Sequence, residues 1–186
     1  MRTRLILPAL CAALLAGCGS SAPSSTSSTA PSTLTGSGVT PRSFRGFAVE
    51  LPSSWTQIAA AGTRLYAARS GAATIAIFRY PRSGKAPYAH SLLKSDLHAL
   101  VALTRSRHPG FRLLHARVTK VSRRGALELV AVEQLGGRTV QVRSTHVFLK
   151  GAEIVIDEYT DPAQFSGVDH ADFLPVVYSF TAEAGG

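Results

Sequence analysis

Six histidines, eleven acidic residues and two cysteines are the side chains with which this 186-residue chain could do chemistry, and their spacing decides what kind. A nucleophilic hydrolase would place a serine on a sharp Gly-x-Ser-x-Gly turn, with a histidine and a carboxylate brought in from later in the chain. No such turn occurs; Phe165-Ser166-Gly167 has no glycine ahead of its serine and reads as a loop. Phosphate-cradling glycine loops are absent too, because Gly136-Gly137 is accounted for by a hairpin turn. His90 and His98 stand eight apart around Lys94 on one solvated helix face, whereas two histidines holding an ion from a helix want a spacing of about four. Asp169, His170 and Asp172 suit a hard-cation or zinc site, but capping of a closing helix accounts for them more simply. His146 shares strand parity with Val142 and Phe148, which predicts a partly buried histidine with a hydrogen-bond partner rather than a catalytic base. Asp157 and Glu158 are neighbours on a strand, so they point to opposite faces and form no carboxylate pair. The expectation is a protein that is not an enzyme and uses no metal or other cofactor.

The cysteines carry a sharper signal. Met1 to Cys18 has the plan of a signal peptide, with Arg2 and Arg4 ahead of an apolar run from Leu5 to Ala16. As a helix that run would reach about 18 Å against roughly 30 Å of hydrocarbon, and Pro8 interrupts it, so it is no permanent membrane span. It ends in Leu15-Ala16-Gly17-Cys18, which resembles the lipobox of bacterial lipoproteins residue for residue. The resemblance implies that residues 1–17 are cut away, that the Cys18 thiol carries a diacylglyceryl group, and that the mature chain sits on the outer face of the cell membrane. Two or more acyl chains, at about 0.8 kcal/mol per buried methylene, are enough for stable anchoring. Cys11 leaves with the leader, so the folded part has no cysteine and no disulfide, thiol catalysis or thiolate metal site.

Charge is unevenly spread within a formal net +9. From Arg42 to Lys150 the chain holds 18 basic and 4 acidic residues; from Gly151 onward it holds 7 acidic residues and no Lys or Arg. Arg105, Arg107, Arg112, Arg117, Lys120, Arg123 and Arg124 follow one another without an intervening acid. Two readings stand. The stretch is either a solvated helix end, strand edge and turn whose charge resists edge pairing, or a docking surface for an anionic envelope component or protein partner. Nucleic acid is disfavoured, since the chain is exported and the stretch lacks interleaved aromatic residues.

Gly19 to Arg42 contains 21 Ser, Thr, Pro, Gly or Ala among 24 residues. Residues 18–42 therefore read as the anchor cysteine and a disordered tether with a reach of roughly 25–30 Å. Residues 43–183 follow as one domain. Alternation predicts strands at 44–51, 64–68 and 72–80. Ala89, Leu93, Leu97, Leu100, Val101 and Thr104 then recur at helical spacing between Pro87 and Arg105. A meander comes next, 111–120, 126–134, 139–149 and 152–159, with turns at Arg124-Gly125, Gly136-Gly137 and Lys150-Gly151. Leu127 to Val132 is apolar on both faces, as at the centre of a sheet covered on each side. Asp161 and Pro162 suit a short capped turn, and Phe173, Val176, Val177 and Phe180 mark a closing helix expected to start near Asp172, with Pro175 in its first turn.

Phe47, Leu51, Pro52 and Trp55 at the opening, with Tyr159, Pro162, Phe165, Phe173, Ser179 and Phe180 at the close, resemble the motifs of the PsbP-like family over most of residues 43–183. With the lipobox and tether, the layout is similar to the LpqN-type lipoproteins of actinobacteria. The resemblance implies an α/β (α+β) fold, an α/β/α sandwich with a mainly antiparallel meander sheet flanked by two main helices. It also implies an accessory or partner-binding role without catalysis, because the family spans an extrinsic photosystem subunit and a nuclear Ran-binding factor and shares no catalytic motif. The expected function is an exported, membrane-anchored binding or accessory module at the cell envelope. The alternatives are a lipid or small-ligand carrier, which needs an apolar pocket, and a cell-envelope hydrolase, which needs a histidine and a carboxylate converging on one cleft.

Overall fold

The computed structural model describes residues 38–83, 90–108 and 110–183. The leader, Leu15 to Cys18, most of the tether and the Pro87–Ala89 start of the expected helix lie outside the described residues. The chain opens with a hairpin of β1 (Val39–Phe44) and β2 (Phe47–Pro52), whose two-residue turn needs Gly46 at φ 93°. Val39 to Arg42, expected in the tether, are thus the outer strand of the domain. An edge strand tolerates Pro41, and Phe44 secures the hairpin by stacking on Phe47 at 5.0 Å.

Next come β3 (Thr56–Ile58), β4 (Arg64–Ser70), β5 (Ala73–Pro81) and the helix α1 (His90–Arg107). The meander follows as β6 (Arg112–Val121), β7 (Arg124–Leu135), β8 (Arg138–Leu149) and β9 (Ala152–Thr160). The chain closes with α2 (Pro162–Val168), a π-helical turn (Asp169–Phe173), α3 (Leu174–Ser179) and β10 (Thr181–Ala182). Seven strands form one antiparallel sheet in the order β3-β4-β5-β9-β8-β7-β6, and β1-β2-β10 form a smaller one. The expected mixed α+β class with an antiparallel meander is what the chain adopts.

This order dictates where α1 lies. It leaves β5 and must reach β6 at the far edge, so it crosses the sheet over β9, β8 and β7. Its leucine stripe, Leu93, Leu97 and Leu100, is buried against Leu127, Leu129 and Phe148. The opposite face of the sheet holds the larger core, where Ile75, Ile77, Val147, Ile154 and Ile156 meet Phe165, Phe173, Val176 and Phe180. β7 is apolar on both sides because both faces are covered, although it lies next to the edge and not at the centre.

Two expectations need correction. The closing helix starts at Pro162 rather than near Asp172. Pro175 has no N–H for the carbonyl four residues back, and the helix absorbs this by widening: the Leu174 N–H reaches five residues back to the Asp169 carbonyl. Asp169, His170 and Asp172 therefore lie within the helical run and make no side-chain cap bond. The β6–β7 turn is Ser122-Arg123, not Arg124-Gly125, and both residues sit at positive φ, 50° and 63°. Such a turn suits Asn-Gly. Replacing Ser122→Asn together with Arg123→Gly is expected to stabilise the domain by about 1 kcal/mol, read as a higher urea midpoint at unchanged slope.

Candidate functional site

Every second residue of β8 and β9 faces α1. On β8 these include Val142, Ser144 and His146; on β9 they are Glu153, Val155, Asp157 and Tyr159. Two carboxyls, a hydroxyl and an imidazole thus enter an otherwise apolar layer. Ser144 stands opposite Asp157, and its hydroxyl donates to Asp157 Oδ1 at 2.5 Å. His146 Nε2 lies 3.1 Å from the same hydroxyl, and Nδ1 lies 2.7 Å from Glu153 Oε1. Arg82 donates to Glu153 Oε2 at 2.9 Å while its guanidinium sits 4.7 Å from the Phe148 ring centre. Further along the layer, His108 Nδ1 is 3.0 Å from Glu133 Oε2.

Ser144, His146, Glu153, Asp157, His108 and Glu133 border a cavity of about 120 Å3 under the C-terminal half of α1, with Arg82 behind Glu153 and outside the lining. Leu127 and Leu129 fill the layer where they meet the helix, but one step on β7 supplies only Ala131, and the space stays open. Arg107, exposed, stands at the mouth. His146, Asp157 and Glu133 are only 7, 8 and 6% exposed. Burial pushes the Asp157 carboxyl above its usual range, against the Ser144 hydrogen bond and the His146 and His108 charges. Burial raises Glu133 as well, opposed by His108 and reinforced by the Asp157 charge. Glu153 goes the other way: burial would raise it, but the His146 hydrogen bond and charge, with Arg82, outweigh that and hold it low. Glu153 is therefore a carboxylate committed to two partners. Among the described residues, Asp157 and Glu133 each keep one oxygen without a protein hydrogen bond.

A histidine and carboxylates do converge on one cleft, and Ser144, His146 and Glu153 have the connectivity of nucleophile, base and orienting acid. Two features oppose acyl transfer. Ser144 lies mid-strand between β7 and β9, so the backbone N–H groups around it serve the ladders and offer no oxyanion donors. Its hydroxyl proton is directed to Asp157 rather than to His146. What the cleft presents to a guest is acceptor oxygens in an apolar shell.

No protein-family model and no curated protein matches the sequence. Solved structures do share the architecture. CyanoP, the cyanobacterial PsbP of Synechocystis sp. PCC 6803, matches with a TM-score of 0.57 at 13% identity, over 91% of this chain and 99% of that one. The fold is PsbP-like. LpqN, involved in cell envelope biogenesis of Mycobacterium tuberculosis, matches with a TM-score of 0.52 at 15% identity, over 79% of this chain and 91% of its own. A Pseudomonas aeruginosa protein of unknown function gives 0.53 at 18% identity, over 78% and 98%. At such identities the likeness is one of fold, and the chemistry of the cleft rests on this chain's own residues.

The PsbP-like sandwich separates the basic stretch that is continuous in the sequence. Arg105 and Arg107 end α1, Arg112, Arg117 and Lys120 lie on the edge strand β6, Arg123 is in the turn, and Arg124 opens β7. Arg117 pairs with Glu128 at 2.9 Å, and Lys120 falls on the opposite side of the strand from it. The seven do not share one face, and charge along an exposed edge prevents unwanted pairing. His90, Lys94 and His98 are exposed along α1. His146 has the partner expected of it, and Asp157 and Glu158 face opposite sides. Asp169, instead of capping, accepts two hydrogen bonds from Arg143, each 2.7 Å. Among the described residues no cluster of His, Cys, Asp and Glu could hold a metal ion. Sequence reasoning missed Ser144, Glu153, Glu133, His108 and Arg82 as site residues. The signal available was parity: Ser144 and His146 share a face with Val142, Glu153 and Asp157 share one with Val155, and a tight turn at Lys150-Gly151 sets the two strands in register.

Proposed function

We propose that the protein is a non-catalytic binding module of the cell envelope, exported, lipidated on Cys18 and tethered to the outer face of the membrane, and that its domain takes a small ligand into the cleft under α1. One observation carries the ligand reading: His146, Asp157 and Glu133, each more than nine-tenths buried, border an open and largely apolar cavity. A few placed polar groups in an apolar pocket are the usual form of a small-molecule site. A volume of about 120 Å3 favours a small molecule over a whole lipid. The lipobox at Leu15 to Cys18 supports the anchor, and the likeness to LpqN supports the envelope setting. The exposed cations of α1 and β6 would add an attraction to anionic envelope components, screened by salt beyond about 8–10 Å.

Full-length protein purified in detergent from bacterial envelopes should release a small organic molecule on denaturation. Ala131→Phe, which fills the cavity, should purify with an unchanged circular dichroism spectrum and without that molecule. Wild-type protein that stays empty after incubation with envelope extract, or a ligand retained by Ala131→Phe, would overturn the reading. Cys18→Ser should move the chain from the membrane to the soluble fraction; continued membrane association would remove the lipid anchor from the proposal.

A further inference from the structure

Building on the cleft as a ligand site, we infer that its ligand is a small organic cation, an ammonium group on an apolar body of about six carbon atoms. The hydrogen-bonding inventory points to a donor. Both nitrogens of His146 and the Ser144 hydroxyl are engaged within the protein, whereas among the described residues one oxygen of Asp157 and one of Glu133 are not. An anionic guest would meet two carboxyls. A donor guest would find an acceptor on each, and the two lie close enough for the charge of Asp157 to act on Glu133.

Charge completes the argument. Glu153 is bonded to both His146 and Arg82, whereas among the described residues Asp157 accepts a hydrogen bond from Ser144 alone and Glu133 faces His108, with the exposed Arg107 farther out at the mouth. A buried carboxyl is unfavourable in its ionised form, the nearby histidines offset burial only in part at either position, and a bound ammonium would relieve the remainder through charge-assisted hydrogen bonds. Burial lifting both carboxyls above their usual range is the same cost seen from the proton side. The rest of the lining suits the apolar end, with Leu100, Leu103, Val142 and Val155, and Tyr80, Phe111 and Tyr159 supply aromatic surface on which a cation is attracted. A cavity of 150 Å3 accommodates benzene, so about 120 Å3 open at one end fits a six-membered ring whose polar head points at the carboxyls.

Three isosteric probes distinguish the possibilities on the full-length protein in detergent, by titration calorimetry: cyclohexylammonium, cyclohexanol and cyclohexanecarboxylate. The ammonium should bind at least about ten-fold tighter than the alcohol, the difference a charged hydrogen bond makes, and the carboxylate should not compete. Asp157→Asn, which keeps an acceptor for Ser144, should weaken the ammonium about ten-fold and leave the alcohol unchanged. Glu133→Gln should do the same, so one variant that fails to fold does not decide the matter. Alcohol or carboxylate binding as tightly as the ammonium, and lost in Ala131→Phe, would overturn the cation while leaving the cleft as a ligand site. Ammonium affinity unchanged in both carboxyl variants, or no binding by any probe, would overturn the cation as well, and the envelope-extract experiment then judges the cleft independently.

Discussion

Replacing Arg143 by Met should lower the unfolding free energy by about 3–5 kcal/mol, the loss typical of removing one partner from a buried charge network. Arg143 projects from β8 to the side of the sheet away from the cleft. Its Nε and Nη2 donate to Asp169, and its Nη1 lies 2.6 Å from Glu128 Oε2. Asp169 opens the π-helical turn, so this fork ties the closing helix to the sheet. Without it Glu128 would still have Arg117, but among the described residues Asp169 would keep no cation. Arg143→Lys retains the charge without the planar fork and should fall between wild type and Arg143→Met. Replacing both partners, Arg143→Met with Asp169→Leu, should recover part of the loss, because an apolar pair leaves no uncompensated charge. Urea unfolding of wild type, Arg143→Met, Asp169→Leu and the double variant provides the cycle. Strictly additive losses would show that the two residues act independently.

The strand that carries Arg143 was legible while its role was not, and the difference is one between local and non-local information. Alternation along 139–149 and a glycine turn at Lys150-Gly151 are local signals, and β8 and β9 lie within a residue or so of where they point. The leucine stripe of α1 is local in the same sense. Val39 to Arg42 had no such signal: Val-Thr-Pro-Arg inside a Ser/Thr/Pro-rich segment becomes a strand only because β2 is there to pair with it. Pro175 misled by suggesting a helix start, since sequence periodicity at 3.6 residues does not anticipate a π-helical turn. The cleft was hidden for a third reason. Ser144, His146, Glu153 and Asp157 are ordinary polar residues on strands until the crossover from β5 to β6 places a helix over that face, and this follows from strand order rather than from any nearby residue. Conversely, the basic run looked like a surface because its charges adjoin in sequence, whereas a strand sends Arg117 and Lys120 to opposite sides.

The opposite sign is expected at Glu158, where replacement by Met should stabilise the domain by about 1–4 kcal/mol near neutral pH. Glu158 is 0% exposed, and neither carboxyl oxygen has a hydrogen-bond partner among the described residues. Arg143 stands opposite it on β8 but donates to Glu128 and Asp169 instead. Burial drives the carboxyl well above the usual 4.5; Arg143 opposes the rise, and Asp169, Asp157 and Glu128 add to it. An acid with a higher pKa folded than unfolded holds its proton more tightly in the folded state. Its contribution to stability therefore declines as pH rises from about 4.5 toward the folded value. Methionine matches the length of the side chain without charge or orphaned acceptors, so its advantage should be smaller at about pH 5, where the folded glutamate is neutral, and larger at about pH 8. The Glu158→Met curve of melting temperature against pH should accordingly be flatter than that of wild type across this interval. Glu153 supplies the contrast. Held low by His146 and Arg82, it contributes stability above its unfolded pKa that is lost as pH falls through its folded one, so the acid limb of the curve should survive in Glu158→Met. A gain independent of pH would mean that Glu158 is protonated to the same extent folded and unfolded throughout this range, so that burial does not raise it. A loss of stability at every pH would mean that the carboxyl makes a contact its surroundings need, and the burial argument would then fail.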